Sequence, residues 1–235
     1  MSEVMKPTYL LAGGRPPNRK DQNALIRAIL RESGKELPVI GYVGTASGDD
    51  TRFRGHMESE LKEIGPVQIN HAVIAAPKAD LKKAKEILQA ADVIFMGGGD
   101  TEQGVKILQD KNMDEFMRQM YREGKVFYGI SAGSLMLAKK WVRWPDPDDD
   151  DSAELFDCLD IAPVICDAHD EASGFEELQA AIKLEKPGVT GYGLASNTGI
   201  KVYPDGKVEA VGGAVWQFVK REGKAVRIED LMPPK

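Results

Sequence analysis

Apolar runs alternate with amphipathic ones from residue 8 to residue 130, and this rhythm restricts the fold more than any other feature of the chain. The apolar runs cover residues 8–13, 39–44, 67–74, 93–96 and 126–130. Between them, residues 24–30, 56–64, 81–90, 105–108 and 116–121 carry apolar side chains at helical spacing. Such a β-α-β-α order predicts an α/β fold with a doubly wound, mostly parallel sheet. The runs Val39-Ile40-Gly41-Tyr42-Val43 and Val93-Ile94-Phe95-Met96 are apolar throughout, as expected when helices cover both faces of a sheet. Leu81, Ala84, Ile87 and Leu88 mark the inward face of one such helix, and the lysines and glutamate between them are its solvated face.

The rhythm changes after Trp141. Residues 144–152 hold two prolines and five aspartates, so an exposed loop is expected there. A further amphipathic helix is expected over residues 175–184. Turns at residues 203–207 and 221–224, each between β-rich runs, predict a C-terminal antiparallel ribbon completing the sheet. Neither a repeat nor a polar linker divides the 235 residues, and a single α/β domain over residues 1–235 is expected.

Charge and cysteine usage narrow the functional classes. A formal charge of -6 leaves no basic footprint for nucleic acid and no polybasic patch for a membrane surface. Residues 1–9 lack the apolar core of a signal peptide, and no window approaches the ~20 apolar residues of a membrane-spanning helix, so a cytoplasmic protein is expected. Cys158 and Cys166 fit neither a disulfide framework nor a CxxC pair and read as small apolar groups in a reducing compartment. Neither a metal nor a cofactor is called for.

Within the last apolar run the sequence reads Val126-Phe127-Tyr128-Gly129-Ile130-Ser131-Ala132-Gly133-Ser134-Leu135-Met136-Leu137. A strand running through Gly-x-Ser-x-Gly into a helix is the pattern of a nucleophile elbow, in which the glycines permit a turn sharp enough to lift the serine above the sheet. Ser131 is the candidate nucleophile. The amide of Ala132, at the start of the following helix, can donate to an oxyanion. A second strand-to-helix turn, Met96-Gly97-Gly98-Gly99-Asp100-Thr101, matches neither the Walker spacing nor GxGxxG. Its plainest role is a tight turn with an Asp or Thr cap, but bare glycine amides at the same sheet edge also suit an oxyanion hole, and Gly98 and Gly99 are the candidates.

A serine nucleophile needs a base, and the chain has three histidines. His56 falls in an expected helix and His71 in an expected strand. His169 follows the apolar run Val164-Ile165-Cys166 and precedes a helix, at the edge where open α/β sheets place their sites, so it is the candidate general base. A histidine flanked by acids is more often a surface or structural residue; its occurrence together with the serine elbow favours the catalytic role.

The order Gly97-Gly98-Gly99-Asp100-Thr101, then Gly129-Ile130-Ser131-Ala132-Gly133-Ser134, then His169, resembles the dipeptidase E and cyanophycinase family of serine peptidases, from about Tyr9 to about Val202. The resemblance implies a class I glutamine amidotransferase-like, flavodoxin-like fold. It implies Ser131 as nucleophile, His169 as base and hydrolysis of a peptide or isopeptide bond next to aspartate; the expected substrate is a small peptide or amide, and a homodimer is an allowed assembly. Dipeptidase E also places an aspartate about fifteen residues beyond the serine, which implies Asp146 as third triad member; the competing role for Asp146 is one more solvated acid in the run that continues with Asp148 to Asp151.

Two departures bear on substrate choice. Members that act on aspartyl groups carry an arginine shortly after the histidine, whereas Asp170 and Glu171 stand there in this chain. Like charges would repel a substrate carboxylate, which argues against an aspartyl preference. Arg143 is the candidate replacement cation, its other role being a surface arginine at a strand edge, and Asp100 is a second candidate substrate contact. The reading is a serine-type peptidase or amidohydrolase; the alternative is a ligand-binding or regulatory protein that keeps the elbow as a relic of its fold.

Overall fold

Neighbouring residues of the central strands point into two different apolar cores, so the sheet is covered on both sides. In the computed structural model, which describes residues 5–14, 19–65 and 67–234, strands β1 (Thr8–Leu11), β2 (Val39–Val43), β3 (Gln68–His71), β4 (Val93–Met96) and β5 (Val126–Ile130) alternate with helices. These are α1 (Arg19–Arg31), α2 (Thr51–Ile64), α3 (Leu81–Ala90), α4 (Thr101–Asp110) and α5 (Asp114–Arg122). Helix α6 (Ala132–Leu137) follows the elbow, then a hairpin of β6 (Lys140–Arg143) and β7 (Glu154–Asp157). The chain continues through β8 (Ile165–Ala168), α7 (Glu176–Leu184), β9 (Thr190–Leu194), β10 (Gly199–Val202), β11 (Val208–Val211), β12 (Trp216–Arg221) and β13 (Lys224–Arg227).

The main sheet has seven strands in the order β11-β10-β1-β5-β4-β2-β3. Its strands β1, β5, β4, β2 and β3 are parallel, and β10 and β11 add antiparallel pairings at one edge. Leu10, Ile94, Met96 and Phe127 face a core completed by Leu88 of α3, Leu108 of α4, Met117 of α5 and Met136 of α6. Tyr9, Leu11, Phe95 and Tyr128 face the other core, closed by Ile29 of α1 and Leu61 of α2, where the Phe95 and Tyr128 rings stack at 4.5 Å. This alternation follows from the period of two along a strand. Aspartates start the helices that return to the sheet: Asp50, Asp80 and Asp100 accept backbone amides at the first turns of α2, α3 and α4.

The expected C-terminal ribbon divides between two sheets. Its first hairpin, β10 and β11, extends the main sheet, whereas β12 and β13 join β9 and β8 in a separate four-stranded sheet of order β13-β12-β9-β8. Phe218 of β12 packs edge-on to Phe175 beside α7, and this apolar partner draws the second hairpin away from the first. The loop expected at residues 144–152 connects β6 to β7 and is exposed over most of its length. Cys158 and Cys166 are free and buried, and burial pushes both thiols well above their ordinary value. Among the described residues no helix is long and apolar enough to cross a membrane.

Candidate active site

Strand β5 ends at the elbow, and the elbow is tight because helix α6 lies directly on the strands beneath it. A Cβ at Gly129 would stand 2.4 Å from the Gly133 backbone, and a Cβ at Gly133 would stand 2.1 Å from the Met96 carbonyl oxygen. Neither position admits a side chain. Ser131 between them takes φ 55 and ψ -127, a left-handed conformation that costs an L-residue of the order of 1–3 kcal/mol and persists only where its surroundings enforce it. They do so through two anchors. The Ser131 amide donates to the Leu11 carbonyl at 2.9 Å, and the buried Ser134 hydroxyl accepts the Leu11 amide and donates to the Leu11 carbonyl, each at 2.8 Å.

His169 comes from the second sheet. It directly follows β8, has φ 49, and its amide donates to the Leu194 carbonyl at the end of β9 at 2.7 Å. This backbone bond fixes the turn that carries the imidazole to the elbow: Nε2 lies 2.7 Å from Ser131 Oγ. Because the histidine and the serine belong to different sheets, their approach registers the packing of one sheet on the other.

The glycine turn after β4 stands on the third side of Ser131. A Cβ at Gly98 would lie 3.4 Å from that of Ser131, and Gly99 has φ 141 with no room for a Cβ against the Ala46 carbonyl. The flanking amides are used, Gly97 donating to Val43 and Asp100 to Ala46. The amides of Gly98 and Gly99 have no protein acceptor among the described residues and adjoin the serine.

Serine, histidine and glycine turn open on a cleft of about 270 Å³, whose wall includes Gly99, Ser131, Ala132 and His169 together with Leu135 and Trp141. Thr101, Asp167, Asp170 and Glu177 complete most of the rest. Asp167 is 5 % exposed; its Oδ1 accepts the Ala168 amide at 2.7 Å, while its buried Oδ2 has no partner. Burial raises its carboxyl to about 7, the Ala168 and Leu178 amides oppose the rise, and the charges of Asp170 and Glu177 add to it. Glu177 is also raised, by burial first and then by Asp170.

The other sequence candidates are placed differently. Asp146 sits in the β6–β7 loop, exposed, with Oδ1 accepting the Asp148 amide, and it does not line the cleft. Arg143 does not line it either: its guanidinium is held between Glu102 at 2.7 Å and Glu154 at 2.6 Å and lies over the Phe156 ring. Asp100 caps α4 through the Gln103 amide and stays exposed.

Glu171, which in the sequence reads only as a source of repulsion, is drawn inward. Its Oε1 accepts the Ser196 amide at 3.2 Å and its Oε2 is buried without a partner. Burial alone would raise this carboxyl, but hydrogen bonds from its own amide and from Ser196, with the attraction of His169, hold it below the usual range. Nothing in the local sequence separates Glu171 from Asp170; the backbone amide of Ser196, just past β9, does.

Known proteins share this framework. The pattern of peptidase family S51 matches residues 9–210. A Bacillus subtilis (strain 168) protein described as an uncharacterized peptidase, YgaJ, is 28% identical over 138 residues, 59% of this chain and 59% of its own. Peptidase E of Pasteurella multocida (strain Pm70) is 27% identical over 114 residues, 48% of this chain and 45% of its own. The chain thus spans about half the length of these curated relatives. Among solved structures, a peptidase from an acI-B1 actinobacterium superposes with a TM-score of 0.73 at 14% identity, covering 99% of this chain and 98% of that one. A putative peptidase E from Listeria monocytogenes EGD-e gives 0.65 at 18%, covering 88% and 98%. At such identities the superpositions establish the fold.

Proposed function

Because the chain belongs to peptidase family S51, we propose that it is a serine peptidase acting on small peptides or amides, with Ser131 as nucleophile and His169 as general base. The observation that carries this reading is the 2.7 Å contact between Ser131 Oγ and His169 Nε2 on a strained elbow. His169 takes the hydroxyl proton as Oγ adds to the scissile carbonyl, and the amides of Gly98, Gly99 and Ala132 receive the developing oxyanion. The C–N bond breaks as His169 returns the proton to the leaving amine, which departs and leaves an acyl ester on Ser131. Water then adds with His169 again as base, and the acid product leaves with Ser131 restored.

A base of this kind is held by a third group that stabilises the imidazolium. In this reading Glu171 takes that part in place of Asp146, since its carboxylate is inward, ionised and electrostatically coupled to His169. Arg143 is not the substrate anchor, because two glutamates already hold its fork. Nothing on the cleft wall then answers a substrate carboxylate, which supports a preference other than aspartyl. A dipeptide panel assayed with wild type and Ser131→Ala tests the proposal. The variant should lose turnover while keeping its unfolding midpoint; retained turnover would overturn it.

A further inference from the structure

We propose that the cleft beside Ser131 is a specificity site for a basic side chain, lysine or arginine, adjoining the scissile bond. This rests on the serine peptidase reading above and extends it to substrate class. Three carboxylates, Asp167, Asp170 and Glu177, line the same small cleft, and no lysine or arginine lines it. Asp170 is the least available of the three, since its Oδ2 accepts the Ser173 hydroxyl.

An acidic wall alone would be a solvated surface, but Asp167 is not solvated. It is 5 % exposed, lines the cleft, and keeps a buried Oδ2 with no donor. A buried carboxylate short of donors costs far more than a fully paired one, and a cation entering the cleft would supply the opposite charge that the Ala168 and Leu178 amides leave unbalanced. The charge balance points the same way: Asp167 and Glu177 are both raised by burial and by acidic neighbours, with no cation among the causes.

The cation is organic rather than a metal ion, because among the described residues no three His, Cys, Asp or Glu side chains converge as a metal-binding group. Size and apolar lining choose its form. At about 270 Å³ the cleft suits one side chain rather than a long ligand. Leu135 and Trp141 on the same wall offer apolar surface to an aliphatic stem. A free α-ammonium would use the carboxylates but leave that apolar wall bare.

The test pairs activity with binding. Peptides carrying arginine or lysine on either side of the cut are compared with isosteric citrulline and norleucine peptides, each with free and acetylated N-termini, in wild type and in Asp167→Asn and Glu177→Gln. Wild type should favour the cationic member by about 100-fold in kcat/KM, regardless of acetylation, and each variant should bring that ratio most of the way toward unity. Argininamide and citrullinamide binding to Ser131→Ala, followed by calorimetry, gives a readout independent of turnover. Tighter argininamide binding that Asp167→Asn abolishes supports the site even if no substrate is cleaved. Equal binding of the two amides, or cleavage of neutral or acidic peptides as fast as basic ones, overturns it while leaving the serine peptidase reading intact. Equal turnover of the cationic and neutral members, with both lost on N-acetylation, assigns the carboxylates to an α-ammonium and overturns the side-chain assignment.

Discussion

Replacing Asp167 by Asn should shift stability increasingly in favour of the variant as the pH rises. The carboxyl has an ordinary value of 3.8 and is raised to about 7 in the native protein, by burial first and by Asp170 and Glu177. The folded state therefore holds this proton more tightly than the unfolded chain does. For a carboxyl raised on folding, its stabilising contribution is complete below pH 3.8 and is lost as the pH climbs through about 7. The separation between the two values corresponds to about 4 kcal/mol once the group is fully ionised, an order-of-magnitude figure. Asn mimics the protonated form: its carbonyl keeps the Ala168 amide, and it carries no charge to desolvate. Its amide donors face the same unpartnered surroundings as Oδ2, a pH-independent cost of about 1–3 kcal/mol. The diagnostic quantity is thus the slope. Urea unfolding of wild type and variant should show the variant gaining about 3 kcal/mol relative to wild type between about pH 5 and about pH 8. A difference that stays constant over that interval, or shrinks, would refute the reasoning that this carboxylate is held in an unfavourable site for the sake of a ligand.

Other expectations follow from the same geometry. Glu171→Gln should lower kcat at least ~10-fold with KM little changed, and Glu171→Asp should recover part of it. Asp146→Ala should retain activity, and the reverse ranking would reinstate Asp146 as the orienting acid. Gly133→Ala puts a Cβ 2.1 Å from the Met96 carbonyl and should destabilise the protein by about 3 kcal/mol or prevent folding, seen as a depressed urea midpoint or insoluble expression. KM for basic peptides should fall as the pH rises through about 7, where Asp167 ionises; a flat profile would count against Asp167 as the cation's partner.

Local patterns carried most of the architecture. Continuous apolar strands with amphipathic helices between them are legible because period and burial follow directly from a two-faced sheet, and the elbow is legible because its glycines answer a contact built into strand, turn and helix. His169 was legible as a candidate from its position at a strand end. Long-range packing was not. The turns at residues 203–207 and 221–224 look alike in sequence, and it is the pairing of β12 with β9, with Trp216 and Phe218 packed on Phe175, that places the second hairpin in another sheet. The β6–β7 hairpin was hidden because its halves flank a loop of prolines and aspartates. Acids are harder still: Asp146, Asp170 and Glu171 differ little in local pattern, and it is the Ser196 amide, 25 residues from Glu171 in sequence, that turns one of them inward. Arg143 likewise reads as a free cation until the fold brings Glu102, 41 residues away, against it.

The central claim is that Ser131 is a nucleophile activated by His169. Its most direct test is reaction with a fluorophosphonate, with the modified peptide identified by mass spectrometry in wild type and in His169→Ala. One adduct is expected, on Ser131, formed in the wild type and lost in the variant. No adduct on Ser131, or one that forms as readily without the His169 imidazole, would contradict it.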